Sequence, residues 1–117
     1  MKTAVLAAAL SLLGGYQGEA RKADPAFTAS ASRGETFFNS KHANQWSCAS
    51  CHGNPPTGQG RHATTGKAIA PLAPAANAER FANAAKVEKW FRRNCNDVLG
   101  RACTPAEKAD VMAFVLR

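Results

Sequence analysis

The pentapeptide C-A-S-C-H at residues 48–52 constrains this chain more than any other feature. The pattern C-x-x-C-H is the attachment site of haem c, in which two thiols add to the vinyl groups of the porphyrin. The spacing lets one turn of chain span both vinyl groups and leaves the next imidazole beneath the iron. The sequence therefore predicts one covalent haem c, with Cys48 and Cys51 as attachment residues and His52 as an axial ligand.

Two other chemistries also use paired cysteines. A dithiol redox pair is typical of a βαβ unit of the thioredoxin kind, and the sequence predicts no such unit. A zinc ribbon requires a second C-x-x-C pair, whereas Cys95 and Cys103 are too far apart in the sequence to form one. Haem attachment is therefore the interpretation that the pattern favours.

The first twenty residues have the features of a secretory signal peptide. Lys2 gives a positively charged start, residues 3–13 form an apolar run, and the G-E-A at residues 18–20 matches a small-x-small cleavage site. The apolar run is too short to span a bilayer and is followed by two glycines. We therefore expect a cleaved signal rather than an integral membrane protein.

Cleavage at that site divides the chain into a signal peptide at 1–20 and one domain at 21–117, which begins with a loose polar leader at 21–25. Export agrees with haem attachment, because c-type haem is attached outside the cytoplasm. In a bacterium that compartment is the periplasm, where disulfides persist. The sequence therefore predicts a soluble, exported protein of the periplasm.

The chain is basic, with a formal net charge of +7. Its lysines and arginines are dispersed rather than gathered in a run, which predicts a solvated basic surface. Nucleic-acid binding is not expected, because the chain has no nucleic-acid-binding motif. A specific use for such a surface is to steer an acidic redox partner.

The periodicity of the chain is helical, and no segment has a convincing strand pattern. Residues 29–39 are predicted to be a helix with Gly34 and Phe38 on one face, and a glycine inside a helix indicates another helix crossing closely. Residues 53–74, rich in Gly and Pro, predict a loop over the cofactor. The T-P-A-E that starts at Thr104 has the N-cap, first-position proline and capping-box glutamate of a last helix.

A further helix is predicted at residues 84–94, capped by Asn83. Its apolar stripe consists of Val87, Trp90 and Phe91, and the next position on that stripe is Asn94. A buried amide without a partner costs free energy. Asn94 is therefore predicted either to bind the haem iron or to bond to the backbone at the helix end, and the residues alone leave both interpretations open.

Other residues also compete for the second axial position. Methionine is a common haem ligand in cytochromes c, but no methionine lies between the haem motif and Met112. Met112 lies on an apolar stripe of the last helix, where packing is the favoured interpretation. His42 and His62 lie in irregular polar segments, where solvated loops are the simpler interpretation. An open sixth position is a further alternative.

Cys95 and Cys103 are the remaining thiols, and in an oxidising compartment we expect them to pair. The closed loop is short, and its closure entropy corresponds to roughly 2.5 kcal/mol of stability. Such a bridge would also clamp the peptide that carries Asn94 against the start of the last helix.

Several segments of the chain resemble a known family. Gly34, Phe38 and residues 109–115 resemble the crossed terminal helices of class I cytochromes c. More specifically, residues 65–74 and the block R-N-C-N-D…C-T-P at 93–105 are similar to the oxygen-binding cytochromes c related to the sphaeroides haem protein and cytochrome c″. The resemblance covers about residues 34–116.

This resemblance implies a small all-α fold of the class I cytochrome c type over the domain at 21–117, built around one haem. It implies that Asn94 ligates ferric iron through its amide oxygen and leaves on reduction, which opens a site for dioxygen or nitric oxide. In cytochrome c″ a histidine takes the place of this asparagine. The family also implies electron exchange with a dihaem cytochrome c. A plain electron carrier with two permanent ligands, and an enzyme that turns over nitric oxide or peroxide, are the alternatives.

Overall fold

The computed structural model describes residues 3–40, 47–48, 60–61, 68–69 and 83–116. Within these residues the chain forms helices with a single short pair of strands, so the predicted all-α class is confirmed. The helices are α1 (Thr3–Ala23), α2 (Ala31–Asn39), α3 (Ala84–Leu99) and α4 (Pro105–Leu116), and the strands are β1 (Gly60–Arg61) and β2 (Ala68–Ile69).

The strand pair was not predicted from the sequence. β1 and β2 pair antiparallel, with Gly60 opposite Ile69. Two residues are too few for the alternation of apolar and polar side chains by which a strand is recognised. The pair lies inside the segment that was predicted to be a loop and does not alter the helical architecture.

Helix α2 begins two residues later than the sequence pattern predicted, at Ala31 instead of residue 29. The reason is a local cap, because the Ser30 side chain accepts a hydrogen bond from the Arg33 backbone N–H at 3.1 Å. A serine at this position satisfies one of the backbone donors that a helix start leaves without a partner. The cap therefore fixes where α2 begins.

Helices α2 and α4 cross closely at Gly34, as the sequence predicted. A Cβ atom at residue 34 would lie 1.9 Å from the Asp110 carbonyl oxygen and 3.0 Å from the Phe114 Cβ atom. One turn further along α2, the rings of Phe38 and Phe114 pack with their centroids 5.3 Å apart. The absence of a side chain at Gly34 is what allows the two backbones to meet.

A buried carboxylate reinforces the same crossing. Asp110 is only 8% exposed, yet it lies on the predominantly apolar helix α4. Its Oδ1 accepts from the Ser30 backbone N–H at 2.8 Å, and its Oδ2 accepts from Arg33 Nε at 2.9 Å. Both oxygens have charged or backbone donors, so the burial cost of the carboxylate is offset.

Helix α4 starts with the predicted capping box. The Thr104 backbone N–H donates to Glu107 Oε1 at 2.8 Å, and the Glu107 N–H donates to Thr104 Oγ1 at 3.2 Å. The helix is also nearly enclosed, as expected from its composition. Its buried residues are Ala109, Asp110, Val111, Met112, Phe114 and Val115.

Helix α3 has the predicted cap but not the predicted end. Asn83 Oδ1 accepts from the Lys86 backbone N–H at 3.0 Å. The helix then continues to Leu99, beyond the end that was expected at Asn94. It ends at Gly100, which has the left-handed φ of 72° that glycine adopts without strain. Asn94 therefore lies inside the helix and is not its C-terminal residue.

Helix α1 passes through the point where signal cleavage is expected. It runs to Ala23, so part of the leader predicted to be loose is helical. Its residues Ala9, Tyr16 and Ala20 are buried at 0%, 9% and 6% exposure. The division at residue 20 stays a prediction. In the part of the chain that the structure describes, no helix is long and apolar enough to cross a membrane.

The helices differ in how closely their backbones pack. Helix α4 packs closely against both α1 and α2, whereas α3 has only sparse close backbone contacts with the other described elements. Buried side chains of α3, among them Val87 and Phe91, join the common core. Side chains and the disulfide therefore hold α3, rather than close backbone packing.

The close crossing predicts that Gly34→Ala will lower the free energy of unfolding by about 1–3 kcal/mol, the typical cost of overpacking a core. The matched control is Gly14→Ala, because a Cβ atom there meets nothing within 4 Å. This control should be neutral or stabilising by up to about 1 kcal/mol, since alanine favours a helix. Denaturant unfolding of both variants measures the difference, and equal effects would refute the packing argument.

Candidate functional site

The structure describes only the first residue of the haem motif. Cys48 is half-buried and packs against the hydrophobic core, and the preceding Ser47 is buried. Cys51 and His52 lie outside the described residues, so their roles stay predictions. His42 and His62, the alternative ligands, lie outside them as well.

The core that Cys48 contacts is shared by all four helices. It contains Tyr16 of α1, Phe38 of α2, Phe91 of α3 and Met112 of α4. A porphyrin attached at Cys48 would therefore lie against this common core, where its apolar faces are protected from water. The position of Cys48 fits the predicted cofactor.

Met112, a competing ligand candidate, lies fully inside this core. Its exposure is 0%, and its neighbours in the cluster include Val111 and Val115 of the same helix. This is the environment that the packing interpretation of Met112 predicts.

Asn94 is half-buried in the middle of α3. Its Nδ2 donates a hydrogen bond of 2.8 Å to the carbonyl oxygen of Trp90, one turn earlier in the same helix. Among the residues that the structure describes, no donor bonds to Asn94 Oδ1. The amide is thus oriented through its nitrogen, and its oxygen is left as an acceptor.

This geometry combines the two interpretations that the sequence left open. The amide of Asn94 does bond to the backbone, but it uses the nitrogen to do so. A neutral amide oxygen is a hard, weak metal ligand, which suits ferric iron better than the softer ferrous ion. The amide oxygen of Asn94 is therefore a ligand atom that suits a haem iron in the oxidised state.

Asn39, at the end of α2, is a second amide with an oxygen that lacks a partner. Its Nδ2 donates to the Glu35 carbonyl oxygen at 3.0 Å, while its buried Oδ1 has no hydrogen-bond partner. Buried polar atoms without a partner are uncommon and call for an explanation. Asn39 was not predicted to be a site residue, because asparagine is common at helix ends.

Cys95 and Cys103 are joined by a disulfide, with their Cα atoms 5.6 Å apart. Both residues are buried, at 6% and 8% exposure. The bridge connects the residue after Asn94 to the residue before the Thr104 cap. Paired in this way, the two sulfurs are not zinc ligands, and no cluster of His, Cys, Asp and Glu suited to a metal occurs among the described residues.

Glu88 anchors α3 on the N-terminal side of Asn94. Its carboxylate accepts a hydrogen bond from the Tyr16 hydroxyl and pairs with Lys108 Nζ at 3.3 Å. The Tyr16 bond, opposed by partial burial and assisted by Lys108, lowers the pKa of Glu88. Burial and the Glu88 charge raise the pKa of Tyr16 well above its ordinary value. Tyr16 was not predicted to be a core residue, because its segment has the features of a signal peptide.

Comparisons with known proteins give this chain clear relatives. Residues 24–115 match the domain of unknown function DUF1924. The cytochrome c-type protein SHP of Cereibacter sphaeroides is 45% identical over 108 residues, which cover 89% of this chain and 79% of SHP. A solved structure of oxidised SHP, described as an oxygen-binding cytochrome c, matches with a TM-score of 0.81 and 44% identity, over 92% of this chain and 94% of that one.

Cytochrome c″ of Methylophilus methylotrophus is a second relative. It is 43% identical over 106 residues, which cover 86% of this chain and 74% of cytochrome c″. Its solution structure, described as giving insight into haem-ligand detachment, matches with a TM-score of 0.80 and 42% identity. That match covers 92% of this chain and 91% of the solved one. Both relatives are cytochromes with the same fold as this chain.

The four cysteines should separate into two functional pairs. Replacing Cys48 and Cys51 with alanine should abolish haem retention after acid–acetone extraction, measured by haem staining of a denaturing gel. Replacing Cys95 and Cys103 with alanine should leave haem attached but lower the unfolding free energy by about 2.5 kcal/mol. Loss of covalent haem from the second variant, or its retention in the first, would contradict these assignments.

Proposed function

The chain belongs to the DUF1924 family and is a c-type cytochrome related to SHP and cytochrome c″, and from this premise we propose that it binds a diatomic gas when reduced. The cofactor is one covalent haem c, held by Cys48, Cys51 and His52. Asn94 is the second axial ligand in the oxidised state and withdraws on reduction. Dioxygen or nitric oxide then takes the vacated position.

The orientation of Asn94 is the observation that carries this proposal. Its Nδ2 is engaged with the Trp90 carbonyl oxygen, and its Oδ1 is the atom left to act as a ligand. The haem would supply an iron that binds a diatomic molecule once Asn94 has withdrawn. Asn94 controls access to that position, because a neutral amide oxygen binds ferric iron weakly and ferrous iron more weakly still.

After it withdraws, Asn94 can also stabilise the bound gas molecule. One N–H of its Nδ2 bonds to Trp90, which leaves the second N–H able to donate a hydrogen bond to a gas molecule. The relative SHP is described as an oxygen-binding cytochrome c, and the solution structure of cytochrome c″ concerns haem-ligand detachment. These descriptions support gas binding and ligand withdrawal in this chain.

The disulfide limits how Asn94 can withdraw. Cys95 is joined to Cys103, which fixes the backbone of the adjacent Asn94 to the start of α4. Withdrawal therefore takes place by rotation of the Asn94 side chain rather than by displacement of the helix. A bridge of this kind also suits the exported, periplasmic location that we propose.

A redox partner with an acidic surface would deliver the electron, and a dihaem cytochrome c is the proposed one. Helix α3 presents four exposed basic residues, and no ion pair is recorded for any of them among the described residues. By contrast, Arg33, Arg101 and Lys108 each pair with a carboxylate. The four exposed residues, termed the α3 basic face, are Lys86, Lys89, Arg92 and Arg93.

The ligand role predicts opposite spectral changes for two substitutions of Asn94. Asn94→His should make the ferric iron low-spin and weaken gas binding, because imidazole is a stronger-field ligand. Asn94→Ala should leave ferric iron with water or no sixth ligand, retain ferrous gas affinity, and leave bound dioxygen less protected from oxidation. Absorption spectra of both oxidation states, with and without dioxygen or nitric oxide, measure these changes.

The alternatives give different results in the same measurement. If Asn94 only bonds to the backbone, both variants should lose about 1 kcal/mol of stability with unchanged spectra. A plain electron carrier with two permanent ligands should remain low-spin in both oxidation states of the unaltered protein. Unchanged ferric spectra in Asn94→Ala would therefore overturn the ligand assignment and most of the case for gas binding.

The α3 basic face predicts a site-specific charge effect on electron transfer. Lys89→Glu with Arg93→Glu should slow anaerobic oxidation of the ferrous protein by hexacyanoferrate(III), an anionic probe, about tenfold at low salt. The difference should shrink at high salt because exposed charges are screened. Arg21→Glu with Lys22→Glu changes the net charge equally on α1 and should have a smaller effect. Equal slowing by both pairs would argue against a specific docking face.

A further inference from the structure

Helix α1 is built into the described structure through Tyr16. This residue is 9% exposed, and its ring meets the Phe91 ring edge-on with centroids 5.6 Å apart. Lys108 Nζ lies 5.4 Å from the centre of the Tyr16 ring, within range of a cation–π contact. Cleavage after Ala20, which the sequence suggested, would remove Tyr16 and expose the ring of Phe91.

Tyr16 also supplies a polar contact that connects three helices. Its hydroxyl donates to Glu88 Oε1 on α3, and Glu88 Oε2 pairs with Lys108 on α4 at 3.3 Å. Loss of α1 would leave the partly buried Glu88 without its hydroxyl donor. A hydrogen bond to a charged group is stronger than one between neutral groups, so this contact is among the stronger ones that hold α3.

A second polar contact holds α1 without touching α3. Gln17 Oε1 accepts a hydrogen bond of 2.8 Å from the Ala29 backbone N–H, in the segment before α2. Ala9 and Ala20 are buried on the same helix. Helix α1 is therefore fixed along its length, and the Tyr16 hydroxyl is its polar link to α3 among the contacts recorded for the described residues.

The match to a solved structure also includes α1. The SHP structure matches 92% of this chain, and the chain has 117 residues. Fewer than ten residues are left outside the match, so it has to include more than half of the 21 residues of α1. A segment that corresponds to part of a folded relative is expected to stay with the folded protein.

The position of Glu88 on α3 gives Tyr16 a connection to the proposed gas site. Glu88 precedes Asn94 by six residues, which is about 9 Å along a helix. On the other side of Asn94, the disulfide fixes Cys95 to Cys103. Close backbone packing of α3 with other described elements is sparse, so these two attachments, together with the buried side chains of Val87 and Phe91, fix its rotation and hence the direction in which Asn94 points.

We propose that Tyr16, acting through Glu88, is a positioning residue for the helix that carries Asn94, and that the working protein keeps α1. The positioning role rests on the proposed function of Asn94, whereas the retention of α1 does not. The raised pKa of Tyr16 and the lowered pKa of Glu88 keep the hydroxyl protonated and the carboxylate charged at neutral pH. The contact therefore persists under working conditions.

Retention of α1 is tested on the haem-loaded protein purified after expression of the full chain. Its intact mass, with N-terminal sequencing, should show a polypeptide that still contains Tyr16. A protein that begins at Arg21 would overturn the proposal, because neither the Tyr16 hydroxyl nor the ring contact with Phe91 would exist in it.

The positioning role is tested by comparing Tyr16→Phe with Gln17→Ala. Each variant removes one polar contact of α1, but only Tyr16→Phe releases Glu88. In Tyr16→Phe the ratio of Asn94-ligated to unligated ferric protein should fall about tenfold, seen as a change in the ferric spectrum. Gln17→Ala should lose stability in denaturant without that spectral change. Glu88→Gln, which keeps an acceptor for the hydroxyl, should lie between Tyr16→Phe and the unaltered protein.

The outcomes separate this proposal from the function of the site. If Asn94→Ala alters the ferric spectrum while Tyr16→Phe and Gln17→Ala leave it unchanged, the positioning role is wrong and the ligand role stands. If both Tyr16→Phe and Gln17→Ala alter it equally, the effect is general destabilisation and the positioning role is again wrong. If Asn94→Ala leaves the spectrum unchanged, the ligand role fails, and the mass measurement alone still decides whether α1 is kept.

Discussion

The crossing of α2 and α4 is the contact on which the rest of the described structure depends. Gly34 allows the α2 backbone to reach the carbonyl of Asp110, where a Cβ atom would lie 1.9 Å from the oxygen. The side chain of the same Asp110 accepts hydrogen bonds from Ser30 and Arg33 at the start of α2. Sterics thus set the distance between the helices, and the buried carboxylate sets their relative position along the axes. Helix α1 also packs closely against α4.

Helix α3 is attached to this frame in a different way. Its close backbone contacts with the other described elements are sparse. Its position depends on buried side chains such as Val87 and Phe91, on the contact of Glu88 with Tyr16 and on the disulfide of Cys95. Asn94 lies between the Glu88 contact and the disulfide, on a helix that these attachments keep in place. Its side chain can therefore bind in one oxidation state and leave in the other by its own rotation.

The parts of the fold that the sequence predicted are those decided by short-range chemistry. The caps at Asn83 and Thr104 depend on one residue and its immediate neighbours. The close approach at Gly34 was predicted because a glycine inside a helix indicates that another helix crosses there. The predicted end of α3 was wrong because the polar Asn94 interrupts the apolar stripe. Such an interruption is expected at a functional site and also at the end of a helix. The core role of Tyr16 was missed because a buried, alanine-rich helix and the apolar part of a signal peptide have the same composition.

The hydrogen bond from Asn94 to Trp90 bears on how easily the proposed ligand can leave. The amide nitrogen bonds to a carbonyl of its own helix, so this bond need not break when the oxygen withdraws by a small rotation. A neutral hydrogen bond contributes about 1 kcal/mol, and a ligand that had to lose one on leaving would be harder to detach by about fivefold. The bond also keeps the amide near its ligating orientation after it leaves. The oxidation state of the metal alone can then decide between the bound and free positions of Asn94.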